Sequence, residues 1–127
     1  MADYLSPAWF EAAARAVAAD ADLAAASRGA RLVVQQTVDD DGARVVWHIR
    51  FEDGSVQLLT GPAADADVTF RCDRATASAV HEGRTSAQAA FMAGQLRVGG
   101  DVGVLLAHQG LLAGLHDALG PLRATVG

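Results

Sequence analysis

Lysine is missing from this sequence: every one of the 10 Lys+Arg residues is arginine. Against 15 Asp+Glu, the formal net charge is −5, which argues against nucleic acid, a partner that selects a basic face, and against binding an anionic membrane by charge. Cysteine is nearly missing too. A single Cys72 excludes an internal disulfide and makes a reducing compartment, hence a cytoplasmic location, the default expectation. No stretch approaches the roughly 18 uninterrupted apolar residues of a membrane span, so no stable membrane insertion is expected. The start carries Asp3 where a secretory leader has positive charge. Ala124-Thr125-Val126-Gly127 matches no peroxisomal or retention tripeptide.

Catalytic patterns are just as scarce. His48, His81, His108 and His116 include no pair at the i,i+3 or i,i+4 spacing of a zinc helix. Asp39-Asp40-Asp41-Gly42 is an acidic hairpin turn without the carboxylate at position 12 that an EF-hand needs. Cys72 falls on an inward strand position and reads as a small buried hydrophobe rather than a nucleophile. Ser78 and Ser86 sit in no G-x-S-x-G elbow. Gly99-Gly100-Asp101 has neither the further glycine nor the lysine of a phosphate loop, and its carboxylate would repel phosphate. No acid–base constellation stands out. The expectation is no enzyme, no metal and no cofactor.

What is present is apolar: the hydrophobic fraction is 51% and the charged fraction 20%. The 127 residues are read as one domain, 1–127, large enough to bury a core without staples. Abundant Ala, Gly and Val with no lysine fits a GC-rich bacterial coding bias.

Ser6-Pro7 is a helix start, and Trp9, Phe10, Ala13, Ala14 and Val17 then fall on one helical face. The period changes at Leu32-Val33-Val34. Val45, Trp47, Ile49 and Phe51 alternate with Val46, His48, Arg50 and Glu52, the clearest period-two pattern in the chain. Asp53-Gly54 turns into a third strand at Val56, and Val68, Phe70 and Cys72 mark a fourth. Three strands joined by short turns must be antiparallel. One sheet face is apolar and the other carries His48, Arg50 and Arg71, so helices should cover only the first. Asp73 caps a helix that stops at Gly83. Thr85-Ser86 opens another, which carries Phe91-Met92 and stops at Gly94. Gln95 to Val98 alternates as a strand, Gly99-Gly100 turns the chain, and Asp101 caps a last helix running towards Leu119. On that helix Val104, Leu105, Leu111, Leu112, Leu115 and Leu119 share a broad sector with His108, and Gln109 lies beside it. Three glycines, at 103, 110 and 114, weaken it.

Ala64-Asp65-Ala66-Asp67-Val68-Thr69-Phe70, the Gly83 stop, and Ala89-Ala90-Phe91-Met92-Ala93-Gly94-Gln95-Leu96-Arg97-Val98-Gly99-Gly100-Asp101 together resemble the sterol carrier protein type 2 family, as a bacterial stand-alone member. The likeness covers nearly the whole chain. It implies an α+β fold: a five-stranded, mainly antiparallel sheet, helices on one face, and an apolar tunnel between them. By position, Phe91 and Met92 would pack over the tunnel, Leu96 and Val98 would face into it, and the helix after Asp101 would close it.

The implied function is non-catalytic binding and carriage of a fatty acyl chain, acyl-CoA, sterol or related hydrophobic metabolite. The expected ligand-binding set joins Trp47, Ile49, Val68 and Phe70 from the strands to Phe91, Met92, Leu96, Val98, Leu105, Leu112 and Leu115. His108 and Gln109 are its polar members, and a buried His108 needs a partner in protein, water or a ligand head group. Gln95 stands where the family often has a basic residue. Besides the small-molecule ligand, the partners to consider are a second copy of the chain or a lipid-handling enzyme. Two other classes remain open: a small α+β enzyme of the cyclase or isomerase kind acting on a hydrophobic substrate, and a protein-interaction accessory module.

Overall fold

Side-chain oxygens begin nearly every helix. In the computed structural model, which describes residues 4–120 and 122, Ser6 accepts from the Trp9 amide at 3.2 Å and starts α1 (Pro7–Ala19). Asp20 does the same for α2 (Ala21–Ala26), Asp73 for α3 (Arg74–His81), Ser86 for α4 (Ala87–Met92) and Asp101 for α5 (Val102–Ala107). Each satisfies one of the amides that a first helical turn leaves open. Asp3 and Ala124-Thr125-Val126-Gly127, used above to judge leader and retention signals, lie outside the described residues.

The alternating segments become β1 (Arg31–Asp40), β2 (Ala43–Glu52), β3 (Ser55–Thr60), β4 (Val68–Asp73) and β5 (Arg97–Gly100). They form one open sheet in the order β3-β2-β1-β4-β5. The pairings are antiparallel except for β1 with β4, which is parallel. Register places Leu32 opposite Phe51, Val34 opposite Ile49, and Ile49 opposite Leu58. These residues are all nearly or fully buried. Trp9, Ala13 and Val17 of α1 pack on that face, with Leu23 of α2 and Leu111 and Leu115 of α6 (Gln109–Ala118). The helices cover one face, as the alternation implies.

The other face is not left wholly to water. A parallel neighbour needs a crossover, and residues 61–67 provide it by running across the outer side of β2 and β1. His48 donates from Nδ1 to the Gly61 carbonyl at 2.8 Å, and the Ala63 amide donates to Gln35 Oε1 at 3.0 Å. The Val33 amide donates to the Asp67 carboxylate at 2.8 Å. Arg50 grips Asp65 through both terminal nitrogens, at 2.9 and 2.6 Å. Beneath this strap Val33 and His48 are buried, although alternation alone puts them on the polar side.

Two expectations for the C-terminal third change. Gly99 and Gly100 are strand rather than turn: β5 spans Arg97–Gly100, not 95–98. The reason is close approach, because a Cβ at Gly100 would collide with the Asp67 carbonyl, and φ there is +87°. The single helix expected from Asp101 to Leu119 is two helices meeting at His108, where φ is −121° and ψ is 28°. In a continuous helix the Val104 carbonyl would accept the His108 amide. Here the His108 ring donates to it instead, from Nδ1 at 2.9 Å, while the amide goes to Leu105 O at 3.2 Å. The side chain has taken the acceptor that its own backbone needed.

Candidate functional site

Between the apolar sheet face and the C-terminal helices lies a cavity of about 1190 Å³. Its floor is Trp47, Ile49 and Leu58 with Phe70 and Val98 from the other half of the sheet. These follow from period-two alternation. Its walls come from helical periodicity: Thr76 and Val80 of α3, Val102, Leu105 and Leu106 of α5, and Gln109, Leu112 and Leu115 of α6. Leu96, just before β5, joins them with Phe91 and Met92 of α4.

The cavity opens where α4 and α5 flank it. Phe91 is 54% exposed, Met92 78%, Val102 50% and Leu106 61%. All of them line the cavity. Large apolar side chains with this much free surface are favourable places to cover, at about 25 cal/mol per Å² of apolar area removed from water.

Two of the residues expected to touch a ligand lie elsewhere. Val68 has no exposure and sits in the packed core beside Gly100, and it is not among the cavity's lining residues. His108 is turned onto the Val104 carbonyl and is also not part of the lining. The others, Trp47, Ile49, Phe70, Phe91, Met92, Leu96, Val98, Leu105, Gln109, Leu112 and Leu115, all line the cavity.

Sequence reasoning missed the inner end. Tyr4 and Trp9 from the N-terminal segment meet edge to face with ring centroids 5.0 Å apart, and His81 stacks on Tyr4 at 4.5 Å. These three line the cavity with Thr76, Cys72 and Gln36. Gln36 was legible by alternation, since it shares a face with Leu32, Val34 and Val38. The Tyr4–Trp9–His81 cluster joins positions far apart in the chain, and no local pattern announces it.

The chemistry at this end is muted. Burial raises the Tyr4 hydroxyl well above its ordinary range. Burial, helped by the carboxylates of Asp73 and Asp39, pushes the Cys72 thiol up to about 11. A thiol held protonated at neutral pH is a poor nucleophile and a poor metal ligand. Among the described residues no group of three or more His, Cys, Asp or Glu could hold a metal ion. No helix among them is long and apolar enough to cross a membrane.

A model of the SCP-2 sterol transfer family matches residues 10–113. Among solved structures, a sterol carrier protein 2 crystal structure aligns at 21% identity with a TM-score of 0.76, covering 93% of this chain and 98% of that one. A conserved hypothetical protein from Thermus thermophilus, described as possibly a sterol carrier protein, aligns at 22% identity with a TM-score of 0.69 and coverages of 98% and 90%. The same fold occurs inside a larger enzyme. The stereoselective inverting sec-alkylsulfatase Pisa1 from Pseudomonas sp. aligns at 20% identity with a TM-score of 0.54, over 76% of this chain but 14% of that one. No curated protein matches the chain.

Proposed function

The chain belongs to the SCP-2 sterol transfer family, and we propose that it holds an apolar lipid-like molecule in the cavity and carries it without catalysing a reaction on it. The ligand class is a fatty acyl chain, an acyl-CoA, a sterol or a related hydrophobic metabolite. The observation that carries this reading is the cavity of about 1190 Å³ walled by Ile49, Phe70, Leu105 and Leu112 and opening at exposed Phe91 and Met92. That volume exceeds the usual few hundred to 1,000 Å³ of small-ligand sites. Each methylene buried there is worth about 0.8 kcal/mol, so a sixteen-carbon chain offers on the order of 12 kcal/mol before the costs of association. The exposed rim is also where a second copy of the chain or a lipid-handling enzyme would dock.

Both tryptophans, Trp9 and Trp47, line the cavity, so ligand entry should change intrinsic fluorescence. A titration with a fatty acid or sterol should saturate, and native mass spectrometry of protein purified from cells should show a lipid-sized adduct or its uptake. Leu112→Asp and Phe91→Ala should weaken uptake more than His48→Ala, because His48 lies on the outer sheet face under the strap. No saturable response to any apolar ligand sinks the reading, and equal effects from the three substitutions would move the site elsewhere.

A further inference from the structure

We propose that Gln36 is the polar anchor of this cavity and binds an uncharged oxygen, a hydroxyl or a carbonyl, on an otherwise apolar ligand; this rests on the lipid-holding reading above. Gln36 lies on β1, the middle strand, in the inward row whose other members Leu32, Val34 and Val38 are at most 1% exposed. Its register partners on either side are Trp47 and Phe70. A carboxamide is thus set between two aromatic residues on the apolar floor of the cavity. Its side chain makes no hydrogen bond to any described residue, whereas neighbouring Gln35, on the outer face, accepts from the Ala63 amide.

A hydrocarbon filling the cavity would strip water from Gln36 and leave the amide unpaired, which is unfavourable. A ligand oxygen placed there removes that penalty.

The glutamine amide both donates and accepts. A hydroxyl or a carbonyl oxygen therefore suits it. A carboxylate does not, because among the described residues no arginine lines the cavity. Its lining histidines are His81, which is packed against Tyr4 and Trp9, and His116, which is followed in the chain by the lining carboxylate Asp117. A buried anion without a fixed cation is much more costly than a buried neutral oxygen.

The test follows intrinsic tryptophan fluorescence during titration with 1-decanol, n-decane and decanoate at pH 7. It compares the wild-type chain with Gln36→Met, which keeps the side-chain length, and with Gln36→Leu as a second apolar replacement. The quantity read is the ratio of the decanol and decane dissociation constants, which cancels effects common to both ligands. In either folded variant the ratio should move about tenfold against decanol, the size expected for one lost hydrogen bond. Decanoate should bind the wild-type chain more weakly than decanol. An unchanged ratio in the variants overturns the anchor, as does decanoate binding as tightly as decanol. If none of the three ligands binds the wild-type chain, the lipid-holding reading itself falls.

Discussion

A β-carbon at Gly100 would collide with the Asp67 carbonyl, and the backbone there sits at φ +87°. Gly110, in the first turn of α6, has nothing within 4 Å of where its Cβ would stand and no positive φ. The two should respond to the same change in opposite directions. Gly100→Ala should cost about 1–3 kcal/mol or more through strain and collision, while Gly110→Ala should gain about 0.4–1 kcal/mol. Denaturant melts of both variants check this; equal shifts would mean that β5 does not run so close to residue 67. At this scale the sequence shows which residues are inward, but not which atoms they reach. Trp47, Ile49 and Phe70 were legible because alternation fixes a strand's faces. His108 fell in the right sector of a helical projection and still missed the cavity. Its ring found an acceptor one turn back, and no projection contains that information.

At the scale of elements, the joint between α5 and α6 is made by one side chain. Replacing His108 with alanine frees the Val104 carbonyl for the normal backbone bond and removes the competitor that ends α5. His108→Ala should therefore leave ligand affinity within about twofold, since the ring lines no part of the cavity, whereas Leu112→Asp should cost at least tenfold, a buried charge being strongly unfavourable. Parallel fluorescence titrations decide it. A large loss in His108→Ala would show that the break sets the cavity's shape rather than merely interrupting a helix. Helix starts were readable because Ser6, Asp73, Ser86 and Asp101 are capping residues with the right followers. The break was not, because the leucine pattern continues undisturbed across it. β5 was displaced by two residues for a similar reason: a glycine pair reads locally as a turn, and only contact with β4 makes it strand.

For the whole molecule, charge sets the response to acid. Arg71 holds the Asp39 carboxyl below its ordinary value of 3.8, the Thr76 amide does so for Asp73, and Arg50 for Asp65. A carboxyl whose folded value is depressed contributes stability that is present above its unfolded value and lost as pH falls through the folded one. The melting temperature should accordingly hold near neutrality and drop below about pH 4, with salt softening the effect because these groups are exposed. A profile flat to pH 2 would show that the pairs contribute nothing to folding. The family resemblance carried the architecture correctly at this scale, including the sheet with helices on one face. The strap of residues 61–67 escaped notice because its hydrogen bonds join polar residues that look individually like solvent-facing ones.

That strap also has a temporal side. β1, β2 and β3 are joined by short turns and can pair as soon as their neighbours are made. The parallel match of β1 to β4 joins partners 34 residues apart, as in the Val33–Asp67 bond. Long loops close late and slow the search. If the meander assembles first and β4 with β5 docks afterwards, Phe70 and Val98 complete the cavity floor only at the end. An apolar ligand added during refolding should then leave the folding rate nearly unchanged and slow unfolding in proportion to its affinity. Stopped-flow traces with and without 1-decanol would show it, and a ligand-accelerated folding phase would place cavity formation before the barrier instead.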